Sequence, residues 1–191
     1  MADRRNGGAI RILGIGGSMR SNSRSRAALQ AALAMAHESG ATTTLADVRE
    51  LNLPVFNPEL PLDAYPPSLA WLLDEVRAAD GILFCSPTYH GTITGAVKNV
   101  LDALDFLVDD TPSYLTGKVA GLMAVGGGAA NVLNALYHAV RAFDAIIVPT
   151  IVALPQNAFD EQSTVLNPSI QRRLNRMVTQ VVDLSMKIRP S

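Results

Sequence analysis

The chain alternates short apolar runs with longer stretches whose apolar residues recur at helical spacing. The first run is Ile10-Arg11-Ile12-Leu13-Gly14-Ile15-Gly16. The stretch from about Ser23 to Glu38 follows it, with Ala27, Leu29, Ala31, Leu33 and Met35 among its apolar positions. This pair predicts a strand and then a helix. Thr42 to Val48 is β-branched and alternating, which predicts a second strand. Residues 51–66 hold Pro54, Pro58, Pro61 and Pro66 and predict an extended loop. Ser68 to Ala79 places Leu69, Leu72, Leu73 and Val76 at helical spacing. Gly81 to Ser86 is apolar almost throughout, a third strand. Ile93 to Leu107 predicts a helix, Asp109 to Gly117 a loop, Val119 to Val125 a fourth strand and Ala129 to Phe143 a helix. Ala145 to Leu154 predicts a fifth strand interrupted by Pro149, and Pro168 to Lys187 the closing helix.

Five repeats of strand then helix result. Strands that are apolar on both faces suit a parallel sheet covered on both sides. Right-handed crossovers then give a doubly wound α/β sandwich. Such sheets bind ligands beyond the carboxyl ends of their strands. The segments to inspect are therefore 17–25, 86–92, 126–131 and 154–160.

The bulk properties narrow the function classes. The 191 residues fit one domain spanning 1–191 and can bury a full core without staples. Hydrophobic residues make up 48% and charged residues 17%, and the formal net charge is −1, so nothing calls for a nucleic-acid surface. No stretch approaches the roughly 20 apolar residues of a membrane helix. The polar start, residues 1–8, is expected to be disordered, and the run after it is too short for a signal peptide. The single cysteine, Cys85, allows no disulfide framework and fits a reducing cytoplasm. Three scattered histidines, His37, His90 and His138, do not suggest a metal site.

The loop after the first strand carries the most chemistry. Gly14-x-Gly16-x-x-Met19 fails the dinucleotide fingerprint at its last position, and no Gly-Lys-Ser/Thr follows. The loop instead offers Ser18, Ser21, Ser23 and Ser25 with Arg20, Arg24 and Arg26. Hydroxyls and backbone N–H groups at a helix N-terminus make a phosphate pocket, and arginine can grip phosphate oxygens bidentately. A terminal monophosphate suits this set better than a bridging pyrophosphate. The competing reading is an ordinary serine-capped helix with solvated arginines. Two further loops at the same edge favour the ligand. Ser86-Pro87-Thr88-Tyr89-His90-Gly91-Thr92 supplies glycine for close approach and an aromatic face, the composition of a loop around a flat heterocycle. Gly126-Gly127-Gly128 before a helix frees several N–H groups. Taken singly, Tyr89 could be a packing tyrosine, His90 a solvent-facing histidine and the glycines a connector. Cys85 reads as an inert strand cysteine.

These motifs together resemble the NAD(P)H-dependent FMN reductases of flavodoxin-like fold. Gly17-Ser18-Met19-Arg20-Ser21-Asn22-Ser23 resembles that family's Gly-Ser-x-Arg-x-x-Ser loop. Ser86 to Tyr89 and Gly95-Ala96-Val97-Lys98-Asn99 resemble its Pro-x-Tyr and Gly-x-x-Lys-Asn segments. The resemblance implies a flavodoxin-like, doubly wound, five-stranded parallel sheet with helices on both faces. It implies that Ser18, Arg20, Ser23 and Ser25 bind the FMN phosphate. Pro87, Thr88, Tyr89, His90, Gly91 and Thr92 would line the isoalloxazine, and Gly127 and Gly128 would approach its pyrimidine side. His90 stands where the family often has asparagine, and Thr94 where proline is frequent. The implied activity takes hydride from NADPH or NADH onto FMN and passes electrons to a small-molecule acceptor: a flavin, quinone, azo dye or similar compound. No general base is named, because the chemistry would belong to the cofactor. A homodimer or homotetramer is implied as well. A flavodoxin-type electron carrier is the alternative, although carriers use a strongly acidic surface that a net charge of −1 does not provide. A phosphatase or nucleotide-binding module without flavin is a third reading.

Overall fold

The computed structural model describes residues 8–160 and 167–189. Of the expected disordered start, only Gly8 lies among the described residues; its carbonyl accepts a hydrogen bond from Arg189 Nη1 at 2.7 Å. The elements are β1 (Arg11–Gly16), α1 (Arg24–Glu38), β2 (Thr42–Asp47), a single turn α2 (Val48–Leu51), α3 (Pro67–Ala78), β3 (Gly81–Pro87), α4 (Gly95–Ala103), β4 (Val119–Val125), α5 (Ala129–Ala142), β5 (Ile146–Ile147), β6 (Val152–Leu154) and α6 (Pro168–Ile188). The sheet is parallel, with order β2-β1-β3-β4-β5, and β6 also pairs with β4. This is the flavodoxin-like order, with its switch point between β1 and β3.

Apolar residues on both faces of β1, β3 and β4 create two cores. Ile12, Leu83, Cys85 and Met123 pack with α1 and α6, whereas Leu13, Ile82, Phe84 and Leu122 pack with α3, α4 and α5. Successive residues alternate between the two, as the period of a strand requires. The helices are thereby fixed on both faces, and their N-termini gather at the carboxyl edge of the sheet.

Three elements depart from the sequence reading. The second strand stops at Asp47, because its side chain caps the turn of α2 by accepting from Arg49 N at 3.0 Å. The helix expected from Ile93 starts instead at Gly95. Thr94 holds extended backbone and its hydroxyl accepts from Val97 N; beyond Ala103 the chain tightens into a 3₁₀ turn, Leu104–Leu107. The fifth strand splits into β5 and β6 around Pro149, which has no N–H for the ladder, and Thr150 N donates instead to Gln180 Oε1 at 3.2 Å.

Candidate functional site

At the end of β1 the chain must turn sharply past β3. Gly16 has φ +145°, and a Cβ there would lie 2.0 Å from the Cys85 carbonyl oxygen, so only glycine permits the approach. Gly17 N donates to that same carbonyl at 3.2 Å. The loop then rises into α1, whose N-cap is Ser23.

Three of the four loop serines form one buried chain of hydroxyls. Ser18 Oγ donates to Ser23 Oγ at 2.9 Å, and Ser23 Oγ lies 3.0 Å from Ser25 Oγ. Ser23 Oγ also accepts from Arg26 N, closing the cap. Ser18, Ser23 and Ser25 are 4%, 6% and 1% exposed. Serine hydroxyls at a helix start are normally wet, so burial of three together is unusual for a simple cap. Their rotors can turn toward an incoming anion, and the N-terminal dipole of α1 favours negative charge there.

The three arginines of this loop divide. Arg26 turns away and pairs with Asp47 at 3.1 Å and Glu50 at 3.6 Å, so its charge is neutralised. Arg20 and Arg24 stay exposed and line the cleft.

After β3, Thr88 N donates to Val125 O at 2.9 Å, tying the third-strand loop to the fourth. Tyr89 and Thr92 exchange two main-chain hydrogen bonds of 3.1 Å, with His90 at φ +51° and Gly91 at φ +82° between them. Two central residues with positive φ make a type I′ hairpin. His90 therefore occupies a left-handed position that asparagine also tolerates well, a physical reason for the exchange flagged in the sequence. Tyr89 is 40% exposed beside the cleft. Beneath the loops, burial in apolar surroundings pushes the Cys85 thiol well above its ordinary value.

These loops enclose a cleft of about 870 Å³ lined by Ser18, Arg20, Ser21, Asn22, Ser23, Arg24, Ser25, Pro87, Thr88, Tyr89, His90, Val125, Gly126, Gly127 and Gln156. Nine residues singled out in the sequence meet there: Ser18, Arg20, Ser23, Ser25, Pro87, Thr88, Tyr89, His90 and Gly127. Gly91, Thr92 and Gly128 sit on the same loops but outside the lining, the first two in the hairpin and Gly128 as the N-cap of α5. Gln156 was not singled out. It follows β6 on a short turn anchored by buried Ala158, and only the position of its loop at the binding edge could have signalled it.

The lining suits FMN. Its volume falls within the range of cofactor clefts. The lining carries two arginines and no carboxylate, so a dianionic phosphate meets positive charge beside the buried hydroxyls. A Cβ on Gly127 would meet nothing within 4 Å, so open space, not packing, lies above that glycine. Thr88 Oγ1 is buried without a hydrogen-bond partner. Among the described residues, Arg26 Nε and Asp47 Oδ2 are the other two buried side-chain atoms without a hydrogen bond, and they are ion-paired with each other. No group of three or more metal-ligating side chains occurs among the described residues, and no described helix is long and apolar enough to cross a membrane.

Comparison with known proteins places the chain among flavin enzymes. The family profile for NADPH-dependent FMN reductases matches residues 10–160. A NAD(P)H-dependent FMN reductase of Pseudomonas aeruginosa is 29% identical over 175 residues, covering 88% of this chain and 91% of the relative. A probable NADPH:quinone oxidoreductase of Oryza sativa is 25% identical over 190 residues, covering 94% and 91%. Among solved structures, the NAD(P)H:acceptor oxidoreductase FerB of Paracoccus denitrificans superposes with a TM-score of 0.74. It is 21% identical, with 94% of this chain and 98% of that one covered, a likeness of fold.

Proposed function

The chain belongs to the NADPH-dependent FMN reductase family, and from that premise we propose that the cleft above β1, β3 and β4 is its flavin site. The protein is an NAD(P)H-dependent FMN reductase, an oxidoreductase that delivers electrons to a small-molecule acceptor such as a flavin, quinone or azo compound. When bound, FMN would supply the two-electron redox chemistry between NAD(P)H and the acceptor.

The chain's own residues bind and orient. Ser18, Ser23 and Ser25 turn their hydroxyls to the phosphate, and Arg20 adds a charge-assisted contact. Pro87 to His90 would line the ring, with Gly91 and Thr92 completing the hairpin that holds Tyr89 and His90 in place. Gly127 would admit the ring's pyrimidine side and offer its N–H group to it, with Gly128 starting α5 directly behind. The observation that carries this reading is the buried hydroxyl chain Ser18–Ser23–Ser25 at a helix start, in a cleft with two unpaired arginines and no carboxylate. Arg24 remains as a second cation and supports some preference for NADPH over NADH.

The working unit in this proposal is a homodimer or homotetramer in the cytoplasm. Sedimentation velocity measures that association directly. The lone buried cysteine suits a reducing compartment.

Steady-state kinetics test the activity. FMN-loaded protein is expected to oxidise NADPH, and NADH less well, with flavin, quinone or azo acceptors. Absence of NAD(P)H oxidation with every acceptor would sink the proposal.

A further inference from the structure

Ser86, the last fully buried residue of β3, belongs to no part of the binding reading above. Its hydroxyl accepts from Thr94 N at 3.1 Å and donates to Pro87 O at 2.9 Å. The two partners are Pro87, which ends β3 and leads into the ring loop, and Thr94, the N-cap of α4. Ser86 is 0% exposed and Thr94 3% exposed, so water cannot replace either bond in the closed loop. Thr94 is fixed a second time by capping α4 through Val97 N at 3.3 Å.

We infer that Ser86 is a positioning residue for the flavin ring: its hydroxyl latches the loop 87–93 into its closed shape before the ligand arrives. The inference rests on the flavin site proposed above. Ser86 touches no ligand in this account and acts through the loop. A loop of this length between a strand and a helix would otherwise pay conformational entropy each time a ring bound. The hairpin at Tyr89–Thr92 and the Thr88–Val125 bond order its middle, and Ser86 ties its two ends.

The Ser86–Thr94 pair has a testable asymmetry. Removing the hydroxyl alone orphans the N–H of Thr94, which satisfies itself only if the free loop opens to water. Binding must then close the loop against that cost, so the penalty appears in affinity and not only in stability. Thr94 has φ −74° and ψ 152°, values proline accepts. Thr94→Pro therefore keeps the backbone path and deletes the donor, so that Ser86→Ala then removes only the bond to Pro87 O; the cap that Thr94 gives α4 is lost with and without the Ser86 change and cancels in the comparison.

The experiment is a double-mutant cycle on the full chain, titrated with FMN and with riboflavin by flavin fluorescence, alongside thermal melts of the apoprotein. Ser86→Ala should weaken both flavins by about tenfold, equally, because the defect lies at the ring end. In the Thr94→Pro background the same substitution should change either affinity by less than about twofold. Ser86→Cys, similar in size with a weaker acceptor, should fall between, and it carries the test if Ser86→Ala does not fold. A lower melting temperature with unchanged flavin affinity would make the latch purely structural and overturn the inference. A loss confined to FMN, with riboflavin unaffected, would place the effect at the phosphate and overturn it too. Failure of the wild-type protein to bind either flavin is a different outcome: it removes the flavin site itself, and the latch with it.

Discussion

In the proposed site, Ser18 and Arg20 are the residues on which phosphate binding would turn. Ser18 starts the buried hydroxyl chain, and Arg20 is a cleft cation with no carboxylate beside it. Replacing both with alanine removes one hydroxyl contact and one charge-assisted contact. FMN affinity should fall on the order of 100-fold, with riboflavin affinity almost unchanged, in parallel titrations. Ser23 and Ser25 would still satisfy each other, so circular dichroism should report an intact fold. Arg26, named beside Arg20 among the loop's arginines, is held away from the cleft by Asp47. Nothing local announces that, because the carboxylate arrives from the neighbouring strand. Cys85 supplies a pH test. Its folded thiol stays neutral while the unfolded thiol ionises above the ordinary value of 9.0. The stabilisation is thus complete below that value and is lost as pH rises past it, by about 1.4 kcal/mol per pH unit. Urea unfolding between neutral and alkaline pH should show the wild type losing stability more steeply than Cys85→Ala. Parallel slopes would show that the thiol is not shielded.

At the scale of elements, the motif Gly95-Ala96-Val97-Lys98-Asn99 has a structural task. Asn99 on α4 accepts from Phe56 N at 2.8 Å and donates to Pro54 O at 2.8 Å, pinning the proline-rich loop to the helix. Tyr65 holds the same loop from its other side through Asn57. Asn99→Ala should cost about 2 kcal/mol in urea unfolding. FMN affinity should move little, since Asn99 lies outside the cleft; a large affinity loss with no change in stability would reverse that assignment. The elements themselves were legible because a parallel sheet buried on both faces leaves continuous apolar runs. Their ends were less so. Asp47 and Thr94 stop a strand and start a helix through side-chain caps, and the bridge across Pro149 depends on β4, which is distant in sequence.

For the whole molecule, the strand order brings the loops after β1, β3, β4 and β6 to one edge in the sequence of the sheet. The proposed phosphate grip after β1 and the proposed ring loops after β3 and β4 are neighbours for that reason. The edge was predictable from alternating strands and helices, and with it nine of the twelve residues named from the sequence. Gly91, Thr92 and Gly128 missed the lining because loop shape, set by the hairpin and the α5 cap, decides which residues face the cleft. Gln156 and Ser86 lay in segments marked for inspection but were given no role, because what they do depends on contacts that only the folded chain makes. The account's central claim is that this edge holds FMN, and titration of the purified protein with FMN tests it most directly. Quenched flavin fluorescence and a perturbed visible spectrum, saturating near one FMN per chain at micromolar concentration, are the expected result. Protein that leaves the FMN spectrum and fluorescence unchanged at that concentration would contradict it.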